Sequence, residues 1–296
     1  MVRLAVISES ASSWPLYVAE AKGLFEKAGV TVVVTVTRSS SAQMRGLEGG
    51  EFEVGHQAAD HVIRSVEGGS DLVIVMALNR PAQSVVAGPA IGSFRDLRGK
   101  LLAVDDKTSG YALLLRRILA RHGLREGDYE LSAVGGSNER YQAVRSGAVA
   151  AALLSPPHDL KLLGEGFRSL GNTTDDFPAY QGSVAAARGS WAAAHEDALV
   201  RYIRGYVAAS DWLFDPAHRE EALEILAARV RVDRAQANAT YEAVTSKSLI
   251  RRAAVDRAGL AQVIEVWWEA DRRPPPRPRV DKYIDLRYRE KALRGP

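Results

Sequence analysis

Several stretches of this chain bring hydrogen-bonding side chains to points where a strand hands over to a helix. The sharpest is Asp105-Asp106-Lys107-Thr108-Ser109-Gly110-Tyr111. There Thr108 or Ser109 can cap the following helix, Gly110 lets a ligand approach the backbone closely, and Lys107 adds positive charge. The first amides of a helix have no intrahelical partners and sit at the positive end of its dipole. This turn can therefore hold a carboxylate, sulfonate or phosphate. It also reads as a well-capped helix with nothing bound.

Similar chemistry recurs elsewhere. The serine-rich turn Ser8-Glu9-Ser10-Ala11-Ser12-Ser13 precedes a helix opening on Trp14-Pro15. Ser10 and Ser13 bring hydroxyls, and Trp14 is either a stacking wall for a flat ligand or a large core residue. Ser40, Ser41, Gln57 and Asn79 supply neutral hydrogen bonds. Arg80 is either a bidentate clamp for a carboxylate or sulfonate, or a solvated loop residue. Ser137 and Asn138, then Pro156 and His158, complete the candidate ligand-binding set with His56 and Tyr111. His56, Asp60 and His61 invite a metal reading. Positions 60 and 61 are adjacent on a helix and do not share a face, and a fourth ligand is missing, so no metal or other cofactor is expected. Asp60 reads instead as a helix N-cap. There is no G-x-S-x-G elbow, H-E-x-x-H, Walker loop or dinucleotide fingerprint, and no catalytic residue is assigned.

These turns need a frame that gathers them. Up to about Gly171 the pattern alternates strand and helix, which predicts parallel α/β layers. Strands are expected at residues 4–7, 30–37, 52–55, 72–77, 101–104, 130–134, 148–154 and 168–170, with helices beginning near Trp14, Ala42, Asp60, Gly110, Asn138 and Pro156. In an open parallel sheet, ligands bind beyond the carboxyl ends of the strands, where the polar turns lie. Gly88-Pro89 and Gly92-Ser93 break the alternation, and 84–87 reads as a strand leaving one lobe. A second break spans 177–182, before a strand at 183–187. The expected division is one lobe of residues 1–88 and 187–296 and another of 89–186. After Ser190 the texture becomes helical, over about 196–214, 217–229, 234–245 and 256–271, with Asp233 capping the third. Pro274-Pro275-Pro276 and Pro278 then impose an extended connector.

Composition narrows the class. The chain has 296 residues, 46% hydrophobic and 25% charged, as soluble globular proteins do. No apolar run approaches the ~18 residues that span a bilayer. With no cysteine, disulfides, thiolate metal sites and cysteine nucleophiles are excluded. Of the net charge of +3, residues 272–296 carry nine Lys/Arg against three Asp/Glu. Tyr283, Ile284, Leu286 and Tyr288 offer apolar anchors, so this basic tail is expected to fold back on the body rather than bind nucleic acid. Met1-Val2-Arg3 runs straight into a strand without a secretory signal. The chain is then either a mature extracytoplasmic form, periplasmic or membrane-associated, given a new start methionine, or a cytoplasmic protein.

The run from Pro15 through Gly23-Leu24-Phe25 to Val30 resembles the opening of the solute-binding proteins of nitrate, sulfonate, taurine and thiamine-precursor ABC importers. Met44 to Gly55 looks like that family's helix-glycine-strand element. Phe94-Arg95-Asp96-Leu97-Arg98-Gly99-Lys100 is similar to its F-x-D-L-x-G-K lead into the second lobe. Tyr141 to Gly147, Pro156-Pro157 and Trp267-Trp268 fit later elements in order. The resemblance implies a type II periplasmic-binding-protein fold: two α/β lobes, two crossover strands, and C-terminal helices packed on the first lobe. It implies a monomer that captures a small, often anionic organic solute in the cleft and presents it to an ABC permease. Enzymes share this fold. Its desulfinases and pyrimidine-precursor synthases resemble cysteine-dependent catalysts, which this chain cannot be, but a decarboxylase or dehydratase using His56, Glu9 or Arg80 stays open.

Overall fold

The computed structural model describes residues 1–294. The first half of the chain forms β1 (Val2–Val6), α1 (Trp14–Ala21), α2 (Leu24–Lys27), β2 (Val32–Val36), α3 (Ser40–Gly49), β3 (Val54–Ala58), α4 (Ala59–Glu67) and β4 (Leu72–Ala77). Next come β5 (Ser84–Ala87), β6 (Leu101–Val104), α5 (Gly110–Arg121), β7 (Glu130–Ala133), α6 (Ser137–Arg145), β8 (Ala151–Leu154), α7 (His158–Gly164), β9 (Arg168–Asn172) and α8 (Thr173–Asp176). The chain closes with β10 (Ser183–Arg188), α9 (Gly189–Ala194), α10 (Glu196–Leu213), α11 (Arg219–Val230), α12 (Arg234–Lys247), α13 (Arg257–Ala270) and α14 (Arg287–Leu293).

Two five-stranded sheets result, ordered β2-β1-β3-β10-β4 and β7-β6-β8-β5-β9. In each, four strands run in one direction and one is reversed: β10 lies antiparallel to β3 and β4, and β5 antiparallel to β8 and β9. The chain therefore crosses between sheets twice, over residues 78–83 and 173–182. Residues 84–87, expected to end the first lobe, instead bond into the second sheet. Their Ser-Val-Val-Ala side chains are all buried, and burial on both faces is what a central strand requires. The chain turns at Gly88 after that strand, so the glycine marks the end of β5 rather than the crossing.

Asp60 is not the cap of α4. Ala58 occupies that place, and the Asp60 carboxylate is turned elsewhere. Asp233 does cap α12, accepting the Gln236 N–H at 2.8 Å. One core gathers Trp14, Tyr202 and Tyr206 under the first sheet. A second joins Leu47 and Ile63 to Leu102, Leu114 and Trp267, so it spans both sheets. α10 packs on α1, α2 and α14, as expected for helices covering the first lobe, while α13 lies against both α4 and α5. The basic tail folds back on the body: Tyr283 and Tyr288 are buried, and the Ile74 N–H donates to the Tyr283 carbonyl at 2.8 Å along β4.

Candidate functional site

Between the carboxyl ends of the two sheets lies a chamber of about 100 Å³. The β1–α1 turn lines it with Ser8, Ser10, Ser12 and Ser13, β3 with His56, and the first crossing with Leu78, Asn79 and Gln83. The other half contributes Asp105, Tyr111, Gly136, Ser137, Arg140 and Ser155, and β10 contributes Ser183. β1, β4, β6, β7 and β8 run out into these turns and the reversed β10 begins among them, so the groups gather at one end of the two sheets.

The only cation among those lining residues is Arg140, on the first turn of α6 and 5% exposed. Its Nη1 donates to the Gly135 carbonyl at 3.3 Å and lies 3.6 Å from Asp105 Oδ1, while its Nε has no partner. Burial lowers the guanidinium pKa, offset in part by Asp105, but a guanidinium keeps its proton at any ordinary pH. Asp105 also accepts from the Ser109 hydroxyl at 2.6 Å. Around this pair stand neutral groups. Gln83 Nε2 donates to Ser155 Oγ at 3.1 Å and leaves its Oε1 free, and Asn79 Oδ1 accepts from the Ser183 N–H at 3.1 Å. Burial pushes the Tyr111 phenol up to about 12, so it stays a neutral hydrogen-bonding group. The chamber can orient a small polar molecule and bind one negative charge.

His56 contributes no charge. Its Nε2 meets the Tyr202 hydroxyl at 2.6 Å, and burial drops its pKa from 6.5 to about 3. A ring so far below neutrality is poorly matched to general acid–base work at pH 7. The folded ring stays neutral where the unfolded one takes a proton, so this histidine stabilises the fold above pH 6.5 and loses that contribution as pH falls toward 3. Relative to a His56→Gln variant, wild-type stability is expected to be level above pH 6.5 and to drop by about 1.4 kcal/mol per pH unit below it. Urea unfolding of both proteins at several pH values checks this; a pH-independent difference would rule it out.

Of the residues singled out in the sequence, Ser10, Ser13, His56, Asn79, Tyr111 and Ser137 come together on the chamber. Asn138 and His158 line a wider vestibule of about 700 Å³, which shares Ser8 with it. His158 is buried there with Nδ1 unpartnered, and burial, then Lys161 and Arg140, lower its pKa to about 4. Pro156 lies beside the chamber, where its carbonyl accepts the Ala11 N–H at 3.3 Å. The others are elsewhere. Trp14 is fully buried in the core, its Nε1 donating to the Ala222 carbonyl at 3.1 Å and its ring edge-on to Tyr241. Gln57 is buried, its Nε2 donating to the Ser40 carbonyl at 3.1 Å, and Ser41 pairs with Ser39. Arg80 reaches Asp256 at 3.4 Å. Lys107 and Thr108 face an open outer groove of about 920 Å³ along α5.

Ser109 caps α5 by accepting the Ala112 N–H at 3.1 Å, and the buried carboxyl of Asp60 lies directly against Gly110. That helix start is already occupied by a carboxyl group of the chain's own. Arg140, Gln83 and Ser183 escaped the sequence reading. Arg140 did leave a signal: a cation in the first turn of a helix works against the dipole, so it asks for a reason to be there. Among the described residues, no group of three His, Cys, Asp or Glu is placed to hold a metal ion.

Comparison with known proteins gives this geometry a context. A candidate binding protein of Brucella abortus (strain 2308) is 28% identical over 251 residues, covering 84% of this chain and 76% of that protein. The ligand-binding component of an ABC-type import system from Staphylococcus aureus, solved with zinc bound, superposes with a TM-score of 0.81 at 13% identity, covering 98% of each chain. The alkanesulfonate-binding protein of Xanthomonas axonopodis pv. citri, bound to MOPS, gives 0.78 at 20% identity, covering 96% of this chain and 98% of that one. The two-sheet architecture is thus the periplasmic-binding-protein fold. The NMT1-like family model matches residues 2–227, the stretch that builds both sheets and the whole chamber, and the chain belongs to that family.

Proposed function

We propose that this protein is the solute-capturing component of an ABC-type importer, closing on a small anionic organic molecule and presenting it to a membrane permease. The observation that carries this is the polar chamber supplied from both sheets, with a buried guanidinium whose Nε is unpartnered. The names of the Staphylococcus aureus and Xanthomonas proteins support it. The two crossings, 78–83 and 173–182, act as the hinge, dividing the chain into a lobe built on β1–β4 and β10 and a lobe built on β5–β9. An importer component works outside the cytoplasm, so the mature protein is extracytoplasmic.

The test is a thermal-shift and native mass-spectrometry screen of small sulfonates, carboxylates and phosphate esters, followed by solution scattering with each binder. A saturating binder should be recovered unchanged and should either shrink the radius of gyration or find the cleft already closed. Turnover of the binder, or an expanded particle on binding, contradicts a closing carrier.

A further inference from the structure

Three of the four sheet edges in this fold are protected. The β4 edge is covered by the tail, through Ile284 beside Ile74. β7 is only four residues long and starts on Glu130. β9 begins on Arg168 and shifts register against β5. The edge formed by β2 has none of these devices. Residues 28–37 hold no charge and no proline, only alanine, glycine and a run of Val and Thr. Uncharged, β-branched open edges are templates for pairing with another strand.

The sequence of this edge fits itself. Thr31-Val32-Val33-Val34-Thr35-Val36-Thr37 is nearly symmetric about Val34. A two-fold axis through Val34 sets Thr31 opposite Thr37 of the second copy, Val32 opposite Val36, and Val33 opposite Thr35. The backbone parity agrees. The Val2 N–H donates to the Thr31 carbonyl and the Thr37 N–H to the Val6 carbonyl, so in this parallel ladder the odd-numbered residues face β1. Val32, Val34 and Val36 therefore turn their N–H and C=O groups outward. In the register centred on Val34 these three meet their symmetry mates as hydrogen-bonded pairs. We propose that β2 pairs antiparallel with β2 of a second copy of this chain, joining two first sheets into one ten-stranded sheet.

Side-chain placement suits the pairing. Val32, Val34 and Val36 pack inward on the first core, while Val33, at 46% exposure, and Thr35 stand on the open face. Val33 and Thr35 of the partner copy then form the close, non-hydrogen-bonded pairs, in which side chains approach most nearly. No charge opposes another anywhere along the pairing. A strand-edge contact is small beside a standard interface of about 1,600 Å², so the dimer is weak and forms only at high protein concentration.

Sedimentation equilibrium over a wide concentration range tests this, using two double variants at the exposed positions. V33K/T35K sets lysine against lysine in both close pairs and should weaken the dimer about tenfold or more. V33K/T35E sets lysine against glutamate and should restore association to at least the wild-type level. Circular dichroism confirms that both variants are folded. A wild-type chain that stays monomeric up to about 1 mM overturns the proposal. So does a dimer unaffected by V33K/T35K, or two variants that behave alike.

Discussion

Replacing Gly110 with alanine is expected to cost about 3 kcal/mol or more of stability, far beyond the ordinary effect of a glycine-to-alanine change at the start of a helix. A Cβ at this position would overlap the Asp60 carboxylate, which sits against the first turn of α5 and is 2% exposed. Asp60 comes from the first sheet's half of the molecule and Gly110 from the second's, so the clash pushes the halves apart. Asp60 is desolvated there, and burial raises its pKa, so displacing it within the packed junction has no inexpensive route. Asp60→Ala removes the obstacle. The double variant Asp60→Ala/Gly110→Ala should therefore lose less than the sum of the single losses by about 1 kcal/mol or more. Strict additivity in urea unfolding would mean the two residues do not meet.

Arg140→Met should weaken binding of an anionic solute by about a hundredfold, the upper end for losing a hydrogen bond to a charged group. The methionine keeps most of the side chain's volume, so the chamber keeps its shape while its cation is removed. Arg140→Lys keeps the charge but not the planar fork and should fall between, losing about tenfold. A neutral solute held by Asn79, Gln83 and the serine hydroxyls would respond weakly to both changes. Titration calorimetry with a binder from the screen separates these cases. Equal affinity in wild type and Arg140→Met for an anionic binder would place its charge elsewhere.

The frame of this molecule was legible because its signals are local. The apolar run of β4 and the serine turn after β1 each announce themselves within a few residues. The tail's tyrosines likewise reveal that its positive charge rides on an anchored arm. Sheet membership was less visible, since the residues of β5 read as apolar strand in either sheet and only pairing with β8 and β9 assigns them. At the site, residues at strand ends such as His56 and Asn79 could be found by position alone. Trp14 and Gln57 could not be told apart from ligand groups, because their partners, Ala222 and Ser40, are brought by other elements. The same holds for the start of α5. That turn reads as an anchor for a ligand's anion, but the group lying against Gly110 is the Asp60 carboxyl, fifty residues away in sequence and visible only once the halves close.

A crystal structure with a bound anionic solute tests the central claim most directly. The solute should occupy the chamber between the β1–α1 turn and the start of α6, with its charged group about 3 Å from the Arg140 guanidinium and its other polar atoms on Asn79, Gln83 or the serine hydroxyls. Solute density in the outer groove along α5, with Arg140 still turned to Asp105 and nothing in the chamber, would contradict the account.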